Sequence, residues 1–309
     1  MQAVSDTVRI VEVGPRDGLQ FEPNTLSIEQ KLELILRLAE TGISHIEAGS
    51  FVSARKIPQL ADSDKLFAKL FSKINNTGNT IYSALVPNVK GMQRALAANV
   101  KSIAVFTAAS ETFCQKNIGC SIDESFERFK PVMEIARENG ISVRGYLSCI
   151  FGCPYEGSIK LSQTVQVAER LYQAGCYEIS MGDTIGIGTP NQAQTLILHA
   201  AGAVPLDKIA VHFHDTRGQA LANILASLEM GVSTVDTSVA GLGGCPYAEG
   251  ASGNIATEDV VYMLHGLGIN SGVDLRKIID VGRWVSKLLK RNNSSRAGSS
   301  GAPDWILES

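Results

Sequence analysis

The chain has 309 residues, a formal net charge of −3 and 44% hydrophobic residues. This length suits one large domain, and a near-balanced charge without a basic block or stripe gives no sign of nucleic-acid binding. No run approaches the roughly 20 apolar residues of a membrane helix, and strand-like sequence begins at Val8, so we expect no membrane contact and a cytoplasmic location. The six cysteines lack the paired spacing of a structural zinc site, and we expect free thiols.

Short β-branched runs alternate with longer helical runs along the chain. We predict strands at 8–13, 43–47, 80–86, 102–107, 142–147, 177–180, 209–214 and 234–237. We predict helices at 28–40, with Ser27 as its N-cap, and at 59–71, 89–98, 122–139, 161–174, 191–200, 219–230 and through 255–290.

Eight β/α units predict an α/β protein, a closed (β/α)₈ TIM barrel with extra C-terminal helices. An open doubly wound sheet is the alternative, but no dinucleotide-type glycine fingerprint follows the first strand. We predict that residues 1–291 form one barrel domain with a C-terminal helical extension. Residues 292–309 begin rich in Ser, Gly and Asn, and we predict a flexible tail there.

The first candidate for chemistry is the pair His212 and His214 at the end of the seventh strand. Residues two apart on a strand point to the same face, roughly 6.6 Å apart, so both imidazoles can bind one metal ion. The alternative is two unrelated histidines. Active sites of TIM barrels lie at the C-terminal ends of the strands, and this placement favours the metal site.

The second candidate is Arg16 with Asp17, which follow the first strand between Gly14 and Gly18. Asp17 offers a carboxylate oxygen to a metal. Arg16 offers a planar, positively charged guanidinium whose N–H groups can bind an oxyanion. The alternative is that Arg16 and Asp17 form a solvated ion pair on the surface. A strand-to-helix loop at a barrel mouth is where catalytic residues are usually placed, and this favours the functional interpretation.

The third candidate is the loop 241–254 after the eighth strand, which contains five glycines and Cys245. Such a loop can move over a ligand, and a thiol within it can be reactive, whereas a flexible surface loop with an incidental cysteine is the alternative. Two further strand ends carry acids, Glu47 and Asp183, for which a structural hydrogen-bonding role is the alternative.

Together these stretches resemble the 3-hydroxy-3-methylglutaryl-CoA lyase family, which is part of a wider group of barrel metallo-lyases and Claisen-type synthases. The resemblance extends from about residue 8 to about residue 268 and is carried by 12–20, 50–53, 121–129, 141–157, 175–190, 211–223 and 238–268. The cysteine-bearing glycine loop separates lyases from synthases, whose equivalent loop carries charged residues.

The resemblance implies a role for each matching residue. It implies the metal ligands Asp17, His212, His214 and Asn254, and the catalytic residues Cys245, Arg16 and Glu47, with Arg16 also contacting the substrate. Asp183 matches a second acidic position that lines the site. The sequence departs from the family beside these motifs, at Phe213, Arg217, Ala48 and Gly49.

The implied activity is metal-dependent cleavage of 3-hydroxy-3-methylglutaryl-CoA to acetyl-CoA and acetoacetate, as in leucine degradation. A set of two His, one Asp and one Asn suits Mg²⁺ or Mn²⁺, and a zinc site with Cys245 as a ligand is the alternative. The expected partners are a small acyl-CoA substrate and a second copy of the chain in a homodimer.

Two other functions stay open. One is a lyase, aldolase or Claisen-type synthase acting on another 3-hydroxyacyl-CoA; Cys245 and the lack of an obvious effector domain argue against a synthase. The other is a non-catalytic barrel that binds metal or CoA as a scaffold, which the complete set of candidate residues disfavours.

Overall fold

Eight parallel strands close into a barrel in the computed structural model, which describes residues 5–53, 55, 57–74, 79–244 and 253–301. The strands are β1 (Arg9–Glu12), β2 (His45–Ser50), β3 (Ile81–Leu85), β4 (Ser102–Ala108), β5 (Ser142–Ser148), β6 (Gly152–Cys153), β7 (Gly157–Ser158), β8 (Ile179–Asp183), β9 (Ile209–Phe213) and β10 (Thr234–Thr237). The barrel order is β1-β10-β9-β8-β5-β4-β3-β2, and β6 and β7 form a separate antiparallel hairpin. The predicted TIM barrel is confirmed.

Helices follow the barrel strands and cover the outside of the sheet. They are α1 (Ile28–Glu40), α2 (Ser63–Lys73), α3 (Val89–Ala97), α4 (Glu111–Ile118), α5 (Ile122–Glu138), α6 (Leu161–Gln173), α7 (Pro190–Ala200), α8 (Ala220–Glu229), α9 (Thr257–Gly266), α10 (Leu275–Leu289) and α11 (Arg296–Ser300). Among the described residues, no helix combines the length and the apolar character needed to cross a membrane.

Local sequence explains where the longer helices begin. Ser27 caps α1 as predicted: its side chain accepts the N–H of Gln30, and the Gln30 side chain accepts the N–H of Ser27. Ser121 and Glu124 form the same capping box at α5. Such caps are worth about 1 kcal/mol each, because they satisfy amides that have no partner inside the helix. Each helix thus starts at a fixed point and turns its apolar stripe towards the strands.

The structure differs from the sequence prediction at several elements. The predicted helix 59–71 is a 3₁₀ turn at Pro58–Leu60 followed by α2. Strand β2 lies at 45–50 rather than 43–47, and β8 at 179–183 rather than 177–180. Helix α4 and the β6–β7 hairpin were not predicted. Only Phe113 and Cys114 of α4 are buried, so its sequence carries no apolar stripe to reveal it.

Part of the segment predicted as a flexible tail is helical and packed in the structure. Ser295 caps α11, and Ala297 is buried. The backbone N–H groups of Arg296 and Ala297 donate to the Asp259 carboxylate on α9, at 3.2 and 2.8 Å. The small Ser, Gly and Ala residues that suggested disorder allow this close packing instead. Residues 302–309 lie outside the described residues.

Candidate active site

A tight turn after β1 places two adjacent charged residues in the barrel mouth. Residues Gly14–Gly18 form a single π-helical turn, in which the Val13 carbonyl accepts the N–H groups of Arg16, Asp17 and Gly18 at 3.1, 2.7 and 3.2 Å. A Cβ on Gly18 would lie 2.7 Å from the Leu242 Cβ, so a glycine is needed there. Arg16 and Asp17 are both buried, which excludes the solvated surface pair.

His212 at the end of β9 and His214 just beyond it lie on the same side of the chain, as their spacing predicted. The ring centroids of His212 and His214 are 5.5 Å apart. Phe213 lies between them in sequence and contacts Phe151 instead, with ring centroids 6.3 Å apart. Both imidazoles therefore belong to the barrel mouth, while the intervening ring packs in the core.

Asp17, His212 and His214 form a compact cluster that can hold a metal ion. One ligand atom from each lies within 4.8 Å of the others, and the His212 Nε2 is 4.0 Å from the Asp17 Oδ2. Burial would raise the pKa of Asp17, but the charges of Arg16 and His212 outweigh it and lower that pKa below its usual value. Burial, with His212 beside it, lowers the pKa of His214 to about 4. An ionised carboxylate and a neutral imidazole are the forms that bind metals.

The fourth predicted ligand, Asn254, lies beside this cluster. Its side-chain nitrogen donates to the Asp17 Oδ2 at 2.8 Å and to the Leu242 carbonyl at 3.3 Å. A short antiparallel bridge between His214 and Asn254 fixes its backbone. Asn254 can bind a cation through Oδ1, which requires that the amide turn its oxygen towards the cluster.

Arg16 is held between two carboxylates. Its Nε donates to the Glu47 Oε2 and its Nη1 to the Asp17 Oδ1, both at 2.5 Å. Burial disfavours the charged guanidinium, but the charges of Glu47 and Asp17 outweigh it and raise the pKa of Arg16. Burial also raises the pKa of Glu47, against the pull of Arg16. The other Glu47 oxygen has no hydrogen-bond partner among the described residues, which is unusual for a buried carboxylate.

Two site residues that the sequence did not reveal support this arrangement from below. Tyr146 donates its hydroxyl to the Glu47 Oε2 at 3.2 Å, and its ring lies under the Arg16 guanidinium, 5.4 Å from the ring centroid. Asp236 lies 3.2 Å from the His212 Nδ1. This contact makes Nδ1 the donor and leaves Nε2 as the lone-pair atom towards Asp17. The sequence did contain one signal for Asp236, because it is an acidic residue in the middle of the short strand β10.

Asp236 is itself fixed by a buried ion pair. Arg144 donates to both Asp236 oxygens at 2.7 and 2.9 Å and to the Glu178 Oε1 at 2.7 Å. Ser180 adds a fourth bond to Asp236 at 2.7 Å. Burial would raise the pKa of Asp236, but Arg144 and His212 outweigh it, so that pKa is lowered and the carboxylate stays charged.

One other predicted site residue, Asp183, is not brought into the cluster. The Asp183 carboxylate accepts the N–H groups of Ile187 and Gly188 at 3.2 and 2.8 Å, which supports its structural alternative. Cys245 lies outside the described residues. The chain on either side of 245–252 is described, and Gly253 accepts the N–H of Asp215 at 2.7 Å.

A cavity of about 220 Å³ opens above the cluster. Polar groups line its floor, and Val52, Leu85 and Phe106 supply an apolar wall. A second cavity of about 510 Å³ adjoins it and shares Phe21 and Phe106 with it. The site therefore combines a small charged end with a larger space leading away from it.

The HMGL-like family model matches residues 7–285, which is most of the chain. The chain belongs to the HMGL-like family. Membership of this family and the cluster of Asp17, His212 and His214 both fit a divalent metal.

Known members of the HMGL-like family cover nearly all of this chain. A mitochondrial hydroxymethylglutaryl-CoA lyase of Gallus gallus is 54% identical over 294 residues, 95% of this chain and 97% of the relative. The crystal structure of a hydroxymethylglutaryl-CoA lyase from Pseudomonas aeruginosa is 50% identical, with a TM-score of 0.93, and covers 96% of this chain and 98% of that one. The predicted family and barrel are confirmed.

A third HMGL-like relative has been solved with ligands. The HMG-CoA lyase from Acinetobacter baumannii, in complex with coenzyme A and 3-methylmalate, is 37% identical with a TM-score of 0.90. It covers 97% of this chain, and 97% of that chain is matched.

Proposed function

We propose that this chain cleaves 3-hydroxy-3-methylglutaryl-CoA to acetyl-CoA and acetoacetate, using a divalent metal. The observation that carries the proposal is the cluster of Asp17, His212 and His214 at the barrel mouth, directly beside the buried Arg16. Relatives named hydroxymethylglutaryl-CoA lyase, at about half sequence identity over nearly the whole chain, support the substrate. The alternative is a lyase, aldolase or Claisen-type synthase acting on another 3-hydroxyacyl-CoA. It is not favoured, although one relative that is 52% identical is named for both 3-hydroxy-3-isohexenylglutaryl-CoA and hydroxymethylglutaryl-CoA.

The metal ligands are Asp17, His212, His214 and Asn254. Two imidazoles and two oxygen donors suit Mg²⁺ or Mn²⁺, which keep open positions for substrate oxygens. A metal bound there would lower the pKa of the substrate's 3-hydroxyl and orient the bond that breaks. A zinc site would need Cys245 as a ligand, and that residue lies outside the described residues.

Arg16 stabilises the negative charge that develops on the departing acyl-CoA. Cleavage removes the 3-hydroxyl proton, breaks the C2–C3 bond and leaves its electron pair on the enolate of acetyl-CoA, while C3 becomes the ketone of acetoacetate. A guanidinium fixed by Asp17 and Glu47 is a preorganised donor for the enolate oxygen, and it need not reorient during the reaction.

Glu47 and Cys245 complete the proton transfers. Glu47 has one free oxygen and a raised pKa, so it can hold a proton closer to neutral pH than an exposed carboxyl. Cys245 protonates C2 of the enolate and yields acetyl-CoA. Its position in the chain, between Leu242 and Asn254, supports this role because Leu242 lies against Gly18 and Asn254 donates to Asp17.

The CoA part of the substrate extends into the adjoining cavity of about 510 Å³. Lys116 and Arg128 line that cavity and supply positive charge for the phosphates, while Phe21, Ile57 and Phe129 supply apolar surface. The complex of the Acinetobacter baumannii relative with coenzyme A supports an acyl-CoA ligand.

The remaining expectations belong to the same proposal. The chain acts in the cytoplasm as a homodimer, with residues 1–291 as one catalytic domain, and serves leucine degradation. Cytoplasmic relatives named 3-hydroxy-3-methylglutaryl-CoA lyase support the location.

The test is to incubate the reduced protein with 3-hydroxy-3-methylglutaryl-CoA and Mg²⁺, with and without excess EDTA, and to measure acetoacetate. We expect release that stops with EDTA and returns with added Mg²⁺ or Mn²⁺. A His214→Ala variant that stays folded is the control, and it should be inactive at every metal concentration. Absence of acetoacetate from folded, metal-supplied protein would overturn the proposal.

A further inference from the structure

Helix α4 forms part of the wall between the two cavities of the site. Phe113 and Asn117 line the smaller cavity above the metal cluster. Lys116, Asn117 and Ile118 line the adjoining cavity of about 510 Å³. Only Phe113 and Cys114 of this helix are buried, so the core holds it weakly. The position of α4 therefore depends on contacts that other segments make with its ends and its exposed side.

The β6–β7 hairpin, residues 152–158, holds the N-terminal end of α4. Ser110 is the N-cap of the helix, and its hydroxyl donates to the Cys153 sulfur at 3.0 Å. Glu156, in the turn of the hairpin, accepts the Thr112 N–H through Oε1 at 2.6 Å. A carboxylate bonded to the first turn of a helix satisfies a free amide and also meets the positive end of the helix dipole. The hairpin thus fixes the point at which α4 starts.

Tyr155, next to Glu156 in the same turn, contacts the exposed side of the helix. The Lys116 Nζ lies 3.9 Å from the centroid of the Tyr155 ring, which is within the range of a cation–π interaction. Phe113 packs against the same ring, with centroids 6.4 Å apart. An aromatic face orients an ammonium without neutralising it, whereas a carboxylate would neutralise it. Lys116 therefore keeps its charge for an anion in the cavity that it lines.

The C-terminal end of α4 is held from α5. Arg128 donates through Nη1 to the Ile118 carbonyl and through Nη2 to the Gly119 carbonyl, both at 3.0 Å. The last carbonyls of a helix have no partner within it, so these bonds fix the end of α4 as the hairpin fixes its start. Lys116 thus extends from a helix that is held at both ends.

We propose that Tyr155 and Glu156 are positioning residues that set α4, and with it the Lys116 ammonium, for binding the phosphate groups of CoA. The inference rests on the proposed function, which places the CoA part of the substrate in the larger cavity. It assigns a role to the β6–β7 hairpin, none of whose residues lines either cavity. Affinity for CoA then depends on a segment that does not touch the ligand.

Binding of CoA itself to the full-length protein, measured by calorimetry, tests the inference without turnover. Tyr155→Leu removes the aromatic face and should raise the Kd for CoA about three- to tenfold. Tyr155→Phe keeps the ring and should bind CoA as the wild type does. An unchanged Kd for Tyr155→Leu, or an equal loss in Tyr155→Phe, would overturn the role of the ring. Wild-type protein that binds no CoA would overturn the whole inference.

Kinetics with a truncated substrate separate phosphate binding from general damage. With 3-hydroxy-3-methylglutaryl-CoA, Tyr155→Leu should raise KM about three- to tenfold and change kcat by about twofold at most. The corresponding pantetheine thioester has no phosphate, so its kcat/KM should be the same for Tyr155→Leu and the wild type. An equal loss of kcat/KM with both thioesters would show damage to the site rather than a lost phosphate contact, and would overturn the proposal.

Glu156 is tested by hydrogen–deuterium exchange as well as by CoA binding. Glu156→Ala removes the acceptor of the Thr112 N–H, so amides of 111–118 should exchange faster while α6 keeps the wild-type rate. The Kd for CoA should rise in the same variant, and less in Glu156→Gln, which keeps an acceptor oxygen. Unchanged exchange in 111–118 would overturn the role of Glu156.

A double-mutant cycle tests whether Tyr155 acts through Lys116. In the Lys116→Met background, Tyr155→Leu should cost no further CoA affinity, because the ammonium that the ring orients is gone. Tyr262→Leu is the matched control, a partly exposed tyrosine on α9 that lines neither cavity, and it should bind CoA as the wild type does. Equal losses in both backgrounds would overturn the proposal. If wild-type protein binds CoA but releases no acetoacetate, the proposed function fails, whereas the Kd values still decide the role of the hairpin.

Discussion

Two buried groups of charges lie one above the other in this barrel and differ in how completely they are paired. The mouth cluster contains Arg16, Asp17, Glu47, His212 and His214, and the interior cluster contains Arg9, His45, Arg144, Glu178 and Asp236. In the interior cluster each carboxylate oxygen meets a donor from Arg9, Arg144, Ser180 or His212.

The mouth cluster is less complete. One oxygen of Glu47 has no hydrogen-bond partner among the described residues, and ligand atoms of Asp17, His212 and His214 lie within 4.8 Å of one another. Burying charges is costly unless they are paired. A group whose carboxylates are all paired therefore stabilises a geometry, and one with an unpaired carboxylate oxygen holds capacity for substrate or metal. The clusters meet at two places: Asp236 contacts His212, and the Tyr146 hydroxyl accepts from Arg144 and donates to Glu47. The interior therefore supports the mouth through one imidazole and one phenol.

The largest effect should come from the mouth cluster. Arg16→Gln removes the donor aimed at the enolate, and loss of such a donor lowers turnover by about 10²–10³. The Kd for Mn²⁺ should stay close to that of the wild type, because Arg16 is not a ligand. Steady-state kinetics and a Mn²⁺ titration measure the two separately, and parallel losses would contradict the assignment.

Weakening the contact between Asp236 and His212, which joins the two clusters, should give the next largest effect. Asp236→Asn weakens the bond that orients His212, and losing such a support typically costs about 10- to 100-fold in metal affinity or activity. It also leaves Arg144 without one of its charge partners. Ser180→Ala, which removes one bond to the same carboxylate, is the matched control and should cost much less. Similar Mn²⁺ affinities for both variants would break the proposed link.

A change deeper in the interior cluster should affect stability rather than chemistry. Glu178→Gln weakens the pairing with Arg9 and Arg144, and we expect the free energy of unfolding to fall by about 1–3 kcal/mol. Turnover should change by about threefold at most, since Asp236 keeps both bonds from Arg144. Urea unfolding and steady-state turnover, measured on the same variant, test this prediction. A loss of turnover as large as that of Asp236→Asn would contradict the prediction, because the interior cluster would then affect chemistry as much as stability.

The smallest effect concerns acid stability. Burial, reinforced by Arg144 and Arg9, lowers the pKa of His45 to about 3. Because the unfolded chain binds this proton first, the contribution of His45 is complete above pH 6.5 and is lost as the pH falls towards 3, by up to about 1.4 kcal/mol per pH unit. His45→Gln should therefore lose less stability than the wild type between pH 6.5 and 5. Identical slopes of unfolding free energy against pH would contradict this.

Sequence patterns predicted the mouth better than the interior. His212 and His214, and Arg16 with Asp17, stand at strand ends and can be recognised from their spacing and neighbours. Arg144 and Tyr146 point into the barrel from β5 and Asp236 from β10, and their partners are set by closure of the sheet. A period of two shows that a residue faces inwards, but it does not show which residue lies opposite.

The misassigned elements have the same origin. The strand prediction at 43–47 ended at Glu47, whereas β2 continues to Ser50 through an irregularity in its pairing with β3. We predicted a flexible tail at 292–301 because its residues are small and polar. Their packing on α9 depends on Asp259, a partner from another segment that composition cannot supply.

The closure of β1 against β10 has a consequence for how the protein is made. Asp17 and Asn254, which are bonded to each other, are separated by 237 positions, and the histidines come between them in synthesis order. A ribosome-bound chain therefore displays the Asp17 turn long before any other proposed ligand leaves the exit tunnel, and contacts this distant form late in folding. A nascent chain that stalls after residue 214 and before residue 254 has the Asp17 turn and both histidines but lacks the bond that Asn254 makes to Asp17.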